Sequence, residues 1–290
     1  MLWIFGHFLA VCIGVSLGLL GGGGSVLALP VLVYVMGIEP KPAIAMTLII
    51  VGTVSLFGSI PHARRGNLDF RTVGIFGSAT MVGAYLGARI ATLPFVTSAF
   101  QMLLFGLSML IAAGLMIYRS NKAKPGTNQD ELDAIQYVKP ACKYCWLWLM
   151  TEGIAVGVLT GLVGVGGGFA IVPALVLLGN IPMRQAIGSS LLIIACNSVA
   201  GLMGYLGHVS LDWTLTVSFT FLAGCGTVIG AYLTQFVSTQ QLQKSFGYFL
   251  LAVAAFVLVQ NRDSLQGLKK SSVYQQPNTR IAAEYGRDIS

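Results

Sequence analysis

Two glycine runs carry the residues of this chain best suited to chemistry. Gly21, Gly22, Gly23 and Gly24 are followed directly by Ser25, and Gly164, Gly166, Gly167 and Gly168 form the second run. Both runs sit inside long apolar blocks. Glycine loses more backbone freedom on ordering than any other residue, so a cluster of it weakens a helix. A helix interrupted there restarts with N–H groups that have no intrahelical acceptor and with a partial positive charge. With no side chains in the way, a ligand can approach the bare backbone, which makes the expected chemistry anion binding. Ser25 is expected to cap the restarted helix. Pro30 and Pro173 are expected near the start of each restarted segment, where a missing N–H does least harm. Gly14 with Gly18, and Gly157 with Gly161, have the spacing of close helix contacts and are assigned to packing.

Small hydroxyl residues follow each run. Thr47 stands in Ala43-Ile44-Ala45-Met46-Thr47-Leu48, and Ser189 with Ser190 in Ala186-Ile187-Gly188-Ser189-Ser190-Leu191. Hydroxyls donate to an anion without adding a competing charge, although they also serve as ordinary helix contacts. Asn197 is a further polar candidate on the second of these segments. Lys41 and Arg184 stand at the mouths of the two segments, placed either to attract an anion into the site or to anchor at the interface, the reading we favour. Asp69 and Asp212 are placed to cap the helices that open at Phe70 and Trp213. His62 and His208 fall near helix ends, and Arg89 should snorkel.

The elements that position these residues repeat. Gly157 stands 143 positions after Gly14, and the same offset carries Lys41 to Arg184, Thr47 to Ser190, Asp69 to Asp212, and Gly83 and Gly87 to Gly226 and Gly230. Of 290 residues, 55% are hydrophobic and 9% charged, against about 25% charged in a soluble domain. Apolar blocks at 43–60, 73–93, 97–118, 146–163, 185–206, 213–237 and 241–260 approach or reach the roughly 20 residues that cross a bilayer. Residues 3–37 form a longer block broken by glycine, and Met1 to Ala10 reads as part of a helix, lacking the basic start of a signal. The expected fold is all-α: a polytopic integral membrane protein of two homologous halves, 1–118 and 146–260, about four spans each. Each half holds one glycine-rich broken or re-entrant helix (25–36 and 168–178), tolerable at depth only where protein or a water-filled cavity covers the backbone. Residues 119–145 form a polar cytoplasmic connector, and 261–290 a polar tail expected to lack order.

The net charge of +7 reads as topology, not as nucleic-acid binding. Basic residues favour cytoplasmic loops, so the 64–71 loop, the connector and the tail are expected on one side, with the loops near 92–97 and 238–240 on the other. That pattern suits eight spans with parallel halves. Cys142 and Cys145 form a lone CxxC, too few ligands for a zinc site, and no cofactor or metal is expected. No lysine follows the glycines as in a phosphate-binding loop, and no nucleophile–base set or HExxH appears, so no catalytic residue is assigned and the chain reads as a non-enzyme.

The glycine phrases resemble the sulfite exporter TauE/SafE family of membrane transporters. The resemblance rests on Gly18-Leu19-Leu20-Gly21-Gly22-Gly23-Gly24 with Pro30, on Gly161-Leu162-Val163-Gly164-Val165-Gly166-Gly167-Gly168 with Pro173, and on Ala186 to Leu191. Met46-Thr47 departs from the small-hydroxyl stretch in the first half. The resemblance extends over residues 6–260 and implies a multi-pass carrier in the inner or plasma membrane, acting on small sulfur-containing anions such as sulfite or organosulfonates. The expected partners are that small anionic solute and the lipid bilayer. Oligomeric state is left open, a homo-oligomer included. Two alternatives stand beside the carrier: an anion channel, and a non-transporting membrane scaffold subunit.

Overall fold

The structure is a computed structural model that describes residues 2–93, 96–122, 145–163, 166–177, 179, 181–205 and 211–260. Among them all regular structure is helical, as the composition requires. The helices are α1 (Leu2–Leu20), α2 (Gly23–Pro30, continued by a π-helical turn, Val31–Val35), α3 (Pro40–Arg64), α4 (Phe70–Ala91) and α5 (Ser98–Lys122). After the connector come α6 (Cys145–Val163), α7 (Gly168–Leu177), α8 (Met183–Tyr205), α9 (Trp213–Leu233) and α10 (Thr239–Gln260). The order of one long helix, one short helix and three long ones therefore occurs twice. Six helices, α3, α4, α5, α8, α9 and α10, are long and apolar enough to cross a membrane. Phe8, Val217, Phe221 and Val259 point outward and exposed, a surface that water disfavours and lipid accepts. The most enclosed helices are α3 and α8, which bury Thr47, Ser55, Ser190, Asn197 and Ser198.

Glycine decides which helices touch. Gly14 and Gly18 of α1 lie against the backbone of Ala223, Thr227 and Ala231 in α9, while Gly226 and Gly230 of α9 lie against Val11 and Val15 of α1. The same contact recurs between α6 and α4, where Gly157 and Gly161 meet Thr80 and Ala84, and Gly83 and Gly87 meet Ile154 and Val158. Side chains of hydrogen alone let the backbones approach closely, which is how helices associate where no hydrophobic force separates protein from lipid. Thr227 Oγ1 donates to Gly14 O at 3.0 Å, and Thr234 Oγ1 to Gly18 O at 3.2 Å. The packing role expected of Gly14, Gly18, Gly157 and Gly161 holds.

The directions of these helices correct the expected parallel halves. At one end of the bundle, Trp3, Met36, Pro42 and Asp212 border a common cavity of about 680 Å³, so α1, α3 and α9 start there. At the other end, Arg65 donates to Ala231 O at 2.8 Å, and Asp69 N donates to Ser189 Oγ at 3.0 Å. There α3 and α9 finish and α8 begins. Because α6 runs alongside α4 in the same direction, it starts at the end where α3 finishes, opposite the start of α1. The second half is therefore reversed relative to the first. The reason is geometric: α2 folds back along α1, with Gly24 against Ile13 and Leu17 and Met36 against Gly6. The chain thus returns to the end of the bundle at which α1 began before α3 starts. It follows that α10 ends at the opposite end from the 64–71 loop, and that the 92–97 and 238–240 loops also lie at opposite ends.

Local signals behave as the sequence implies at two helix starts. Asp69 accepts from the backbone of Arg71 and Thr72, and Asp212 from Leu215. The prolines do not. Pro30 is the last residue of α2 and Pro173 lies in the interior of α7. A proline there removes a ladder bond and crowds the preceding turn, and the backbone after Pro30 widens into the π turn, where Met36 N donates to Val31 O at 3.0 Å. Cys12 and Cys225 face outward and Cys196 is half-buried, while Cys142, His208, most of the connector and the tail lie outside the described residues.

The glycine contacts make a direct test. Gly18→Val forces α1 from α9 and should cost about 1–3 kcal/mol, the usual range for overpacking. Gly74→Ala, whose added methyl meets nothing within 4 Å, should be neutral or gain up to ~1 kcal/mol from helix propensity. Melting of the detergent-solubilised variants checks both; equal effects would deny that the crossing is tight.

Candidate functional site

The first glycine turn begins where α1 ends. Gly21 takes φ of 71°, a left-handed value natural to glycine, and its N–H still donates to Leu17 O at 2.8 Å. Gly22 then precedes α2 with no side chain capping that helix. Ser25 is not the cap the sequence suggested. It is the third residue of α2, and its hydroxyl donates back to Gly22 O at 2.7 Å, leaving the first-turn N–H groups without a side-chain acceptor. In the second turn, Gly166 and Gly167 have φ of 71° and 90°. The Gly167 carbonyl accepts from Ala170 N at 3.0 Å and Ile171 N at 2.9 Å, so α7 starts from this residue. Gly164 lies outside the described residues.

The two turns meet. A Cβ placed on Gly168 would stand 2.6 Å from Gly22 Cα and 2.6 Å from Ser25 Oγ, and one on Gly22 would strike the Gly168 carbonyl. Glycine at both positions is what lets the backbones touch. The starts of α2 and α7 are thereby brought head to head in a buried setting. Each start carries roughly half a positive charge, and two of them together make a place where a negative charge is favoured.

Hydroxyls surround this contact unevenly. Ser190 Oγ reaches Gly21 O at 3.1 Å and Ile187 O at 2.8 Å, tying α8 to the first turn. Ser198 Oγ sits 2.8 Å from where a Gly166 Cβ would be. Most helical hydroxyls here donate to a carbonyl of their own helix, as Ser16, Ser59, Ser78 and Thr160 do. Thr47, Ser55 and Ser198 are fully enclosed and make no hydrogen bond. An enclosed polar group left unpaired costs about 1–3 kcal/mol.

Among the residues singled out from sequence, the structure brings together Gly21 with Ser190, and Gly22 with Ser25 and Gly168. Gly23 packs on Leu20 and Phe249, and Gly24 on α1. Ser189 is used elsewhere, accepting from Asp69 N. Asn197 faces Thr80, whose Oγ1 lies 3.0 Å from Asn197 Oδ1, and its Nδ2 makes no bond. Sequence reasoning passed over Ser55 and Ser198, though the signal was present: both follow Thr47 and Ser190 by eight residues, and the 143-residue offset relates them to each other. His62 is buried with neither ring nitrogen bonded. Lys41 and Arg184 begin α3 and α8 at opposite ends of the bundle. Among the described residues no group of three or more His, Cys, Asp or Glu is placed to hold a metal.

Apolar helices of membrane length and an outward apolar surface define a multi-pass membrane protein. The family model described as sulfite exporter TauE/SafE matches residues 7–262, and the chain belongs to that family. It is 35% identical over 258 residues to a probable membrane transporter protein of Xylella fastidiosa, covering 87% of this chain and 94% of that one. The probable membrane transporter protein YdhB of Bacillus subtilis is 29% identical, covering 85% of this chain and 96% of its own. A probable membrane transporter protein of Methanocaldococcus jannaschii, MJ0441, is 24% identical over 271 residues. No solved structure matches the chain.

The glycine contact predicts a graded response. Gly168→Ala, whose methyl would press on Gly22 and Ser25, should lower the melting temperature in detergent by several degrees, in line with about 1–3 kcal/mol of overpacking. Gly114→Ala meets nothing within 4 Å and should leave it unchanged or raise it slightly through helix propensity. Loss of stability in neither would place the two turns apart.

Proposed function

We propose that the chain is a secondary carrier of a small oxyanion, sulfite or an organosulfonate, in the cytoplasmic membrane. The observation that carries this reading is the meeting of two buried helix starts at Gly22 and Gly168. Halfway through a bilayer, bare N–H groups are costly unless something accepts from them, and an anion is the acceptor that also matches both helix dipoles. In this reading Gly21, Gly22, Gly23, Gly24, Ser25, Gly164, Gly166, Gly167 and Gly168 supply backbone, Ser190 supplies the hydroxyl beside Gly21, Thr47 and Asn197 are further polar candidates, and Ser189 is set aside because it accepts from Asp69 N. The class of anion follows the family's description.

In this reading residues 1–118 and 146–260 are inverted halves joined by the connector 119–145, with 261–290 a tail. The pairs α1–α2 and α6–α7 are re-entrant hairpins that dip in from opposite faces, and α3, α4, α5, α8, α9 and α10 span. The shared ends of α1, α3 and α9 support this arrangement. Broken helices meeting at the interface of inverted repeats, near the bilayer midplane, suit a site that rocking of one group of helices against the other exposes to each side in turn. With no nucleotide motif in the chain, the driving force is an ion gradient or the membrane potential.

The full-length protein reconstituted in liposomes should exchange sulfite or a short sulfonate with saturation and counterflow. Gly23→Leu and Gly166→Leu should each reduce the rate at least tenfold. Flux that rises linearly with concentration would make the protein a channel; wild-type rates in both variants would remove the glycine turns from the mechanism.

A further inference from the structure

We infer that His62 is a proton-binding site of this carrier, and that the proton and the anion are carried together. This rests on the carrier reading above and adds to it the coupling ion. The 143-residue offset relates His62 to Tyr205 and Gly18 to Gly161, and both His62 and Tyr205 are buried. The two differ in what they reach. The Tyr205 hydroxyl lies 3.4 Å from Gly161 O and 3.3 Å from Gln101 Nε2, which donates to it. His62 lies beside the Gly18 carbonyl with both ring nitrogens unbonded. A phenol keeps its proton near neutral pH, whereas an imidazole takes one up and then offers two N–H donors. Gly18 is in the last turn of α1 and His62 in the last turn of α3. Carbonyls at such ends lack donors of their own helix and carry partial negative charge, which suits an imidazolium.

A buried charge needs a partner, and the surroundings of the ring hold none. Arg65 is the charge that faces it, with a guanidinium that donates to Ala231 O and lies over Tyr232. Arg64 is exposed, and both carboxylate oxygens of Asp69 accept from Arg71 or Thr72. On α8, Arg184 stands one turn before Gly188; α9 brings Tyr232, α10 the exposed Lys244, and α1 and α2 no titratable group at this end. Among the described residues, no element packed on the ring offers it an uncommitted carboxylate. An anion at the first glycine turn is the missing partner. The ring and that turn flank one stretch of α8, where Gly188 lies against His62, Ile187 against Gly21, and Ser190 donates to Gly21 O. Proton and anion then favour one another's binding by the same factor, and a monoanion with its proton crosses without net charge. Ala63 and Arg64, next along α3, are exposed, so the ring is within one turn of the surface.

The test uses full-length protein in liposomes that trap a pH-sensitive dye, with methanesulfonate as the probe. Its charge is fixed between about pH 5.5 and 8, the range in which an ordinary histidine titrates. A gradient with the acid side outside should speed uptake about tenfold and acidify the interior as the solute enters. A potassium potential set by valinomycin should leave the rate unchanged. His62→Gln, and His62→Tyr, which copies the second half, should each lose the response to the gradient. His7→Gln, near the start of α1 and bonded to Trp3 and Ser218, should keep it. In detergent, methanesulfonate should bind the unaltered protein about tenfold more tightly at about pH 5.5 than at about pH 8, and the His62 variants should show no such trend. Uptake driven by the potential and not by the gradient overturns the inference and leaves the carrier reading standing. So does a gradient response retained by either His62 variant, or lost in His7→Gln. Failure of methanesulfonate and sulfite alike to exchange with saturation sinks the carrier reading itself.

Discussion

A backbone N–H buried in lipid has no water to turn to, and this constraint shapes the molecule. Helices satisfy it along their length but not at their starts. Two starts, those of α2 and α7, are nevertheless held deep in the bundle, face to face, by a contact that only glycine permits at Gly22 and Gly168. Everything near them serves that arrangement. The short helices fold back along α1 and α6, the long helices α3 and α8 enclose them, and the glycine seams of α1 with α9 and α6 with α4 keep the assembly narrow.

Much of this was legible in the residues. Apolar blocks of membrane length, interrupted by glycine at a fixed offset, signalled the all-helical character and the positions of the interruptions. The caps at Asp69 and Asp212 also followed from side-chain chemistry alone. What escaped was relative direction. An offset of 143 positions is the same for parallel and reversed copies, and a tally of basic residues cannot weigh a long tail against a short loop. The return of α2 toward the start of α1, which the residues did not signal, is what reverses the direction of the second half.

The polar lining shows the same limit at finer scale. Ser25 follows its glycines as a capping residue would, yet one extra residue of turn places it inside α2, where its hydroxyl finds a carbonyl. Ser189 and Ser190 are neighbours in sequence but point a helix face apart, one toward the Asp69 amide and the other toward Gly21. Ser55 and Ser198 obey the repeat as faithfully as the residues that were chosen. Their significance depends on which carbonyls lie within reach, which only the packed structure determines.

The seams have a mechanical consequence. The first arm of each half is zipped along its length to a helix of the other half, so the sequence boundary at the connector is not a plane of slip. Any sliding that opens a path must carry α1 together with α9, and α6 together with α4, as two braced beams. In the carrier reading proposed above, a moving unit would therefore be drawn from both copies, and the units of motion would not be the units of duplication.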